Sequence, residues 1–273
     1  MASEGRPGTP SLAFSGNDRS AARWFGSQTG WWESHYLGAV DSIVDFLAGD
    51  GIGLEGKRLV DLGCGDGTIT LGLAQRTAAA SVLGLDLQPV DAEWLAAEAR
   101  RNGVAADAPT LRFEECEAQH LPVEDSSLDL VTAWSVFEHV AEPGAVLAEL
   151  HRVLRPDGLL FIQIWPMWFS EHGSHLWPWF DQGFAHLRLS DVALRSEVRA
   201  RCHPPELAEA MLDLYDSCSR VSLDDLGHQI LESGFFLAKV EVDAPPVHIP
   251  AELQHLPVSL LTTAGVRLLA VRH

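Results

Sequence analysis

The sequence predicts an α/β fold, a doubly wound mixed sheet of seven strands with helices on both faces. Three observations predict it. Short apolar runs alternate with helical segments between residues 57 and 165, the pattern of βαβ units and a parallel sheet. Hydrophobic residues make up 47% of the 273, enough to cover a sheet on both sides. A glycine-rich turn follows the first apolar run and opens a helix.

Residues 1–20 are rich in Gly, Ser, Pro and Thr and read as a flexible tail. The chain then becomes aromatic and helical from Trp24 to Leu47. Leu37, Val40, Val44 and Leu47 recur at helical spacing and predict one apolar face. Strands are expected over 57–63, 81–87, 111–116, 128–134 and 159–165, with helices from Thr68, from Ala92 to Arg101 and from Pro143. Pro156-Asp157-Gly158 reads as a turn before the fifth strand. The alternation fails from 166 to 205. It resumes with a helix over 223–233 and strands over 235–242 and 266–271, which can form the antiparallel end of a mixed sheet. This divides the chain into a tail (1–20), an N-terminal helical cover (21–56), a ligand-binding core (57–165), an insertion (166–220) and the end of the core (221–273).

Charge narrows the function. Lys and Arg total 19 against 38 Asp and Glu, a formal net charge of −19. Such a chain repels polyphosphate and anionic lipid, so neither nucleic acid nor a membrane surface is an expected partner. A small molecule is expected, and a homodimer stays open. No apolar run reaches the ~18 residues of a membrane span, and the first residues lack the apolar core of a signal peptide. Cys64, Cys116, Cys202 and Cys218 show no CxxC spacing. A soluble, cytoplasmic protein is expected.

The sharpest feature is Asp61-Leu62-Gly63-Cys64-Gly65-Asp66-Gly67. Glycines between a strand and a helix let the backbone approach a ligand closely. Their spacing, G-x-G-x-G, is not the dinucleotide pattern, and no Gly-Lys-Ser/Thr ending marks a phosphate loop. Asp66 stands where a pyrophosphate would arrive and favours a cation instead. Asp86 ends the second strand, where a carboxylate can accept both ribose hydroxyls. A ribose, no phosphate and a cationic end describe S-adenosylmethionine.

These residues resemble the class I S-adenosylmethionine-dependent methyltransferases. Further segments match: Glu117-Ala118-Gln119-His120-Leu121-Pro122, Ser127-Leu128-Asp129-Leu130-Val131, Phe137-Glu138-His139-Val140 and Arg152-Val153-Leu154-Arg155-Pro156-Asp157-Gly158. The set is similar to the ubiquinone-biosynthesis-like branch (methyltransferase type 11). The resemblance implies a Rossmann-like sheet and methyl transfer from S-adenosylmethionine. It assigns the methionine and ribose region to Asp61 and the backbone at Gly63 and Gly65, with Cys64 between them as a small residue fitting the turn. It assigns the ribose hydroxyls to Asp86, adenine packing to Leu87 and adenine polar contacts to Glu117 and the Ala118 amide. Trp134 is placed near the methionine. The usual residue at 117 is Asp, and Glu reaches about one methylene further.

Strand ends face the ligand in such sheets, so the insertion emerges on the acceptor's rim and is expected to cover its pocket. It carries Trp168, Trp177 and Trp179, with Trp165 just before it, and the N-terminal segment carries Trp24, Trp31 and Trp32. Aromatics in both covers fit an apolar acceptor, or the covers' own small core. His172, His175 and His186 share the insertion, and His139 follows the fourth strand. One of these four is the expected general base for methylation at oxygen. A divalent metal on the insertion histidines, a non-methylating enzyme and a binding protein on the same fold are the alternatives.

Overall fold

The computed structural model describes residues 20–273; the expected tail lies, apart from Ser20, outside them. Seven strands form one sheet: β1 (Arg58–Leu62), β2 (Ser81–Asp86), β3 (Leu111–Glu115), β4 (Leu128–Trp134), β5 (Leu154–Ile164), β6 (Phe235–Asp243) and β7 (Gly265–Arg272), in the order β3-β2-β1-β4-β5-β7-β6. The first five are parallel, and β7 runs antiparallel to both β5 and β6. The helices are α1 (Ser20–Gly26), α2 (Val40–Ala48), α3 (Thr68–Arg76), α4 (Ala92–Arg101), α5 (Pro143–Val153), α6 (Ala185–Arg188), α7 (Asp191–Arg201), α8 (Pro205–Ser217), α9 (Leu223–Glu232) and α10 (Val258–Thr262). No helix among the described residues is long and apolar enough to cross a membrane.

Strand burial explains the unbroken apolar runs. Leu59, Val60 and Leu62 of β1 and Leu130, Val131 and Ala133 of β4 are buried from both sides. On one face Leu147, Leu150 and Val153 of α5 and Leu226 and Ile230 of α9 pack on Val131, Ile162 and Leu268. On the other, Ile43, Phe46 and Leu47 of α2 and Leu73 of α3 meet Leu59, Leu130 and Phe161. Each fully buried Leu contributes about 1.5–3 kcal/mol of transfer free energy.

Three boundaries depart from the sequence reading. A π-helical stretch, Glu33–Ala39, precedes α2. It holds one more residue per turn and rotates the face, so Leu37 is exposed while Tyr36, Ala39, Ile43 and Phe46 are buried. The fifth strand begins at Leu154, paired with Leu128, rather than at Leu159. Pro156-Asp157-Gly158 is therefore an excursion inside the strand, with Asp157 at φ 60°, between the pairs Leu128/Leu154 and Leu130/Leu159. Segment 166–220 is helical, through α6, α7 and α8. It forms its own core around Trp168, Leu194, Val198 and Met211.

The strand order reverses between β1 and β4, so the crevice at their carboxyl ends is the ligand position expected of an open α/β sheet. Beside it, Gly84 of β2 stands opposite Phe113 of β3. A Cβ on Gly84 would lie 2.6 Å from Phe113 Cδ1 and 3.0 Å from Cys64 Sγ. Gly84→Ala should therefore cost about 1–3 kcal/mol of stability by overpacking. Urea denaturation checks this, with Phe113→Leu expected to recover most of the loss; an unchanged midpoint would contradict the packing.

Candidate active site

The glycine loop leaves β1 and enters α3. Gly63, Gly65 and Gly67 all have positive φ, at 66°, 55° and 83°, so each needs the freedom of glycine. Their surroundings differ. A Cβ on Gly63 would meet Val136 at 2.5 Å, and one on Gly67 would meet Phe113 at 2.9 Å. At Gly65 nothing lies within 4 Å. Two of the glycines thus serve packing, and the third borders open space. Gly63 and Cys64 donate their amides to the Leu85 carbonyl, at 2.7 and 3.0 Å. Gly65 donates to Asp86 Oδ2 at 2.9 Å, and Gln88 to Asp86 Oδ1 at 3.2 Å. The Asp86 carboxylate therefore shapes the loop while keeping lone pairs for further donors.

Asp61 lies deeper, 2% exposed. Thr70 Oγ1 donates to its Oδ2 at 2.6 Å and Thr132 Oγ1 lies 3.1 Å from Oδ1. Burial pushes its carboxyl up from 3.8 to about 6; the two hydroxyls oppose the shift, and Asp86 and Asp66 add to it. Asp66, at the loop's outer turn, accepts from the Thr68 amide at 2.9 Å and from Trp31 Nε1 at 2.8 Å. The indole of Trp31 stacks on His35, centroids 3.7 Å apart. The N-terminal segment is thereby fastened to the loop. It also reaches the insertion, since Trp24 lies 5.0 Å from Trp179 between ring centroids and Ala21 is buried with α8 residues.

The structure separates the four candidate histidines. His139 and His175 come together, ring centroids 4.8 Å apart. Ser217 Oγ donates to the Leu214 carbonyl at 2.7 Å, so it accepts from His139 Nδ1, 3.0 Å away. That assigns the proton to Nδ1 and leaves Nε2 as the basic nitrogen. Burial lowers His139 to about 4 and His175 well below its ordinary range, so both are neutral at pH 7. His186 is elsewhere: Nε2 donates to the Trp168 carbonyl at 2.6 Å, and the ring packs edge-on against Trp168. His172 sits between the rings of Trp165 and Trp177, 6.1 and 5.6 Å between centroids.

Sequence reasoning gave Glu138 no role. It is 5% exposed, and neither carboxylate oxygen has a hydrogen-bond partner in good geometry among the described residues, though three donors lie near. The amides of Glu138 and Trp165 and the Ser135 hydroxyl favour its charge, but burial outweighs them and raises the carboxyl to about 8. One of its oxygens and one ring nitrogen each of His139 and His175 lie within 4.8 Å of one another. The residue was visible in Phe137-Glu138-His139-Val140, but its burial was not.

Residues 60–162 match the family described as a methyltransferase domain. The chain is 34% identical over 110 residues to a ubiquinone biosynthesis O-methyltransferase of Pseudomonas aeruginosa, covering 40% of this chain and 45% of that one. It is 27% identical over 144 residues to the enzyme of that name from Actinobacillus pleuropneumoniae, covering 53% and 60%. The chain thus spans about half the length of these relatives. In fold it resembles an S-adenosylmethionine-dependent methyltransferase from Mesorhizobium loti, with TM-score 0.53, 21% identity and coverage of 87% and 100%. Residues 60–162 thus match a methyltransferase domain, and the sheet that holds them has the fold of S-adenosylmethionine-dependent methyltransferases.

The methyltransferase core implies S-adenosylmethionine as donor, and its residues fit that group. The open side of Gly65 admits a ligand against the backbone, and the Asp86 carboxylate borders the same loop. Leu87 follows Asp86 and is half-buried, while Glu117 is exposed and Ala118 half-buried beyond β3. Cys64 directs its sulfur toward Gly84 and Phe113, and burial raises its thiol pKa, so it brings only its backbone to the loop. Trp134 ends β4, its ring 6.4 Å from that of Phe161 between centroids.

Two outcomes follow. Asp86→Ala should weaken S-adenosylmethionine binding at least about tenfold by calorimetry, since hydrogen bonds to a charged acceptor are worth about 1.5–3 kcal/mol each; unchanged affinity would remove Asp86 from the site. Asp61 binds its proton more tightly folded than unfolded, so its neutral-state stabilisation is complete below about pH 4 and lost as pH rises through about 6. The stability of Asp61→Asn relative to wild type should therefore rise between those values and level above them. The opposite slope in denaturation midpoints would show a carboxylate stabilised as an ion.

Proposed function

We propose that the protein transfers a methyl group from S-adenosylmethionine to oxygen of a small-molecule acceptor, with a histidine as general base. The observation that carries this reading is the open face of Gly65 beside Asp86, in a loop whose other two glycines are closed by Val136 and Phe113. S-adenosylmethionine, when bound, supplies a methyl group on a sulfonium whose charge vanishes as the methyl leaves. Asp86 accepts the ribose hydroxyls. Asp61 and Asp66 supply negative potential for a cationic ligand. The N-terminal segment and the insertion close over the crevice and exclude water.

An acceptor hydroxyl must lose its proton as oxygen gains the methyl. His139 suits that task, because Ser217 fixes its tautomer and Nε2 keeps the lone pair. His175, against the same ring, extends the basic surface. The relatives named O-methyltransferases support oxygen as the methylated atom. The acidic chain disfavours nucleic acid as acceptor.

The cluster of Glu138, His139 and His175 favours a second reading, in which these three hold a divalent metal that polarises the acceptor oxygen. One experiment separates the two. His139→Ala should lower turnover by about 10²–10⁴ while donor affinity barely moves. Elemental analysis of wild type and variant beside the kinetics reports whether a metal is lost with the ring. Wild-type turnover in both His139→Ala and His175→Ala would refute the placement of the base.

A further inference from the structure

The insertion contains a cavity of about 200 Å³, lined by Glu171, His172, Ser174, Trp177 and Phe180 among others. Its chemistry is one-sided. Among the described residues that line it there is no lysine or arginine, while Glu171 and Asp181 both face it. The two acids differ. Asp181 is fully exposed at the rim, 4.0 Å from Arg201, whose guanidinium also lies 5.6 Å from the Phe180 ring centroid. Arg188, which donates to Gln182 of the lining, is also taken by Glu252. Glu171 is half-buried, and no hydrogen bond or ion pair engages its carboxylate among the described residues.

The backbone holds Glu171 in this position. A Cβ on Gly183 would fall 2.1 Å from Glu171 Cγ and 2.3 Å from Oε1, so the absent side chain of Gly183 is the space that Glu171 fills. The Phe184 amide donates to the Glu171 carbonyl at 2.9 Å and closes the loop around it. His172, which also lines the cavity, packs on Trp177, and its Nδ1 is buried without a hydrogen-bond partner among the described residues. A carboxylate without a counter-charge, in a cavity that an aromatic ring also lines, attracts a cation through both its charge and the ring's negative face. An anion meets repulsion there, and a neutral apolar ligand leaves the carboxylate desolvated and unpaired. The volume suits a small group rather than a long chain.

We propose that this cavity binds the ammonium group of a small organic cation, with Glu171 as counter-ion and Trp177 as aromatic wall. This goes beyond the methyl-transfer reading, since it concerns a ligand site in the insertion and holds whether or not a methyl group moves. The probe is choline, titrated calorimetrically into the full chain. Its uncharged analogue, with carbon in place of nitrogen, tests for charge, and acetate tests for anions. Choline should bind at one site, at least about tenfold more tightly than the uncharged analogue, and acetate should not bind. Glu171→Gln should weaken choline at least about tenfold and Trp177→Leu several-fold, each with S-adenosylmethionine affinity unchanged. Gly183→Ala, which displaces Glu171 without removing it, should lose choline as Glu171→Gln does, with folding verified by circular dichroism. Equal binding of choline and its analogue, no choline binding, or wild-type affinity in Glu171→Gln would overturn the proposal. Loss of S-adenosylmethionine binding in the wild type would count against the methyl-transfer reading alone.

Discussion

The crevice depends on a carboxylate that never reaches solvent. Asp61 of β1 stands in register with Thr132 of β4 and takes hydrogen bonds from Thr132 and from Thr70 of α3. One side chain therefore joins the two strands between which the sheet order reverses and the helix that leaves the glycine loop. Burying a carboxyl is costly unless its oxygens are satisfied. Here that cost enforces geometry, because separating β1, β4 or α3 would leave the group unpaired. The loop is then held from its other side by Asp86, through the Gly65 amide. Two acids, one buried and one half-buried, fix the backbone on which a cationic ligand is to lie.

The aromatic residues divide into buried and exposed groups. Trp168 is buried within the insertion's own core, and Trp24 and Trp179 join the insertion to the N-terminal segment. Trp165 and Trp177 keep 38% and 41% of their surface exposed, on either side of His172. Of the two explanations open to the sequence, a cover core holds for Trp24, Trp168 and Trp179. The insertion folds on some tryptophans and presents others.

Much of the fold was legible because it rests on period and punctuation. The buried parallel strands are unbroken apolar runs, and the turn after β1 announces itself in glycines. The misreadings have local causes. Leu37 fits a 3.6-residue period that the π-helical stretch interrupts, and hydrophobic spacing does not reveal a wider turn. Pro156-Asp157-Gly158 has the composition of a turn, yet Leu154 pairs with Leu128 across it. Around the glycine loop, Asp61, Gly65 and Asp86 stand out in sequence because a short motif and the end of the next strand mark them. The pairing of His139 with His175, and Ser217 behind it, joins residues 36 and 78 positions apart and depends on how the insertion folds back. Glu138 lay in a recognised motif, but only packing shows a carboxyl raised to about 8 beside two neutral imidazoles.

β7 is last in chain order among the strands yet lies inside the sheet, between β5 and β6. During synthesis β6 therefore emerges with no neighbour to pair with, and β5 waits with one edge open. Neither edge can close until Gly265–Arg272 has left the ribosome. A nascent chain of this protein carries the open edge of β5 from residue 164 onward and, from residue 243, an unpaired β6 bearing Phe236, Val240 and Val242 on exposed positions. The order of the strands thus delays closure of the sheet to the last strand made, and a chain truncated before β7 would keep both edges open.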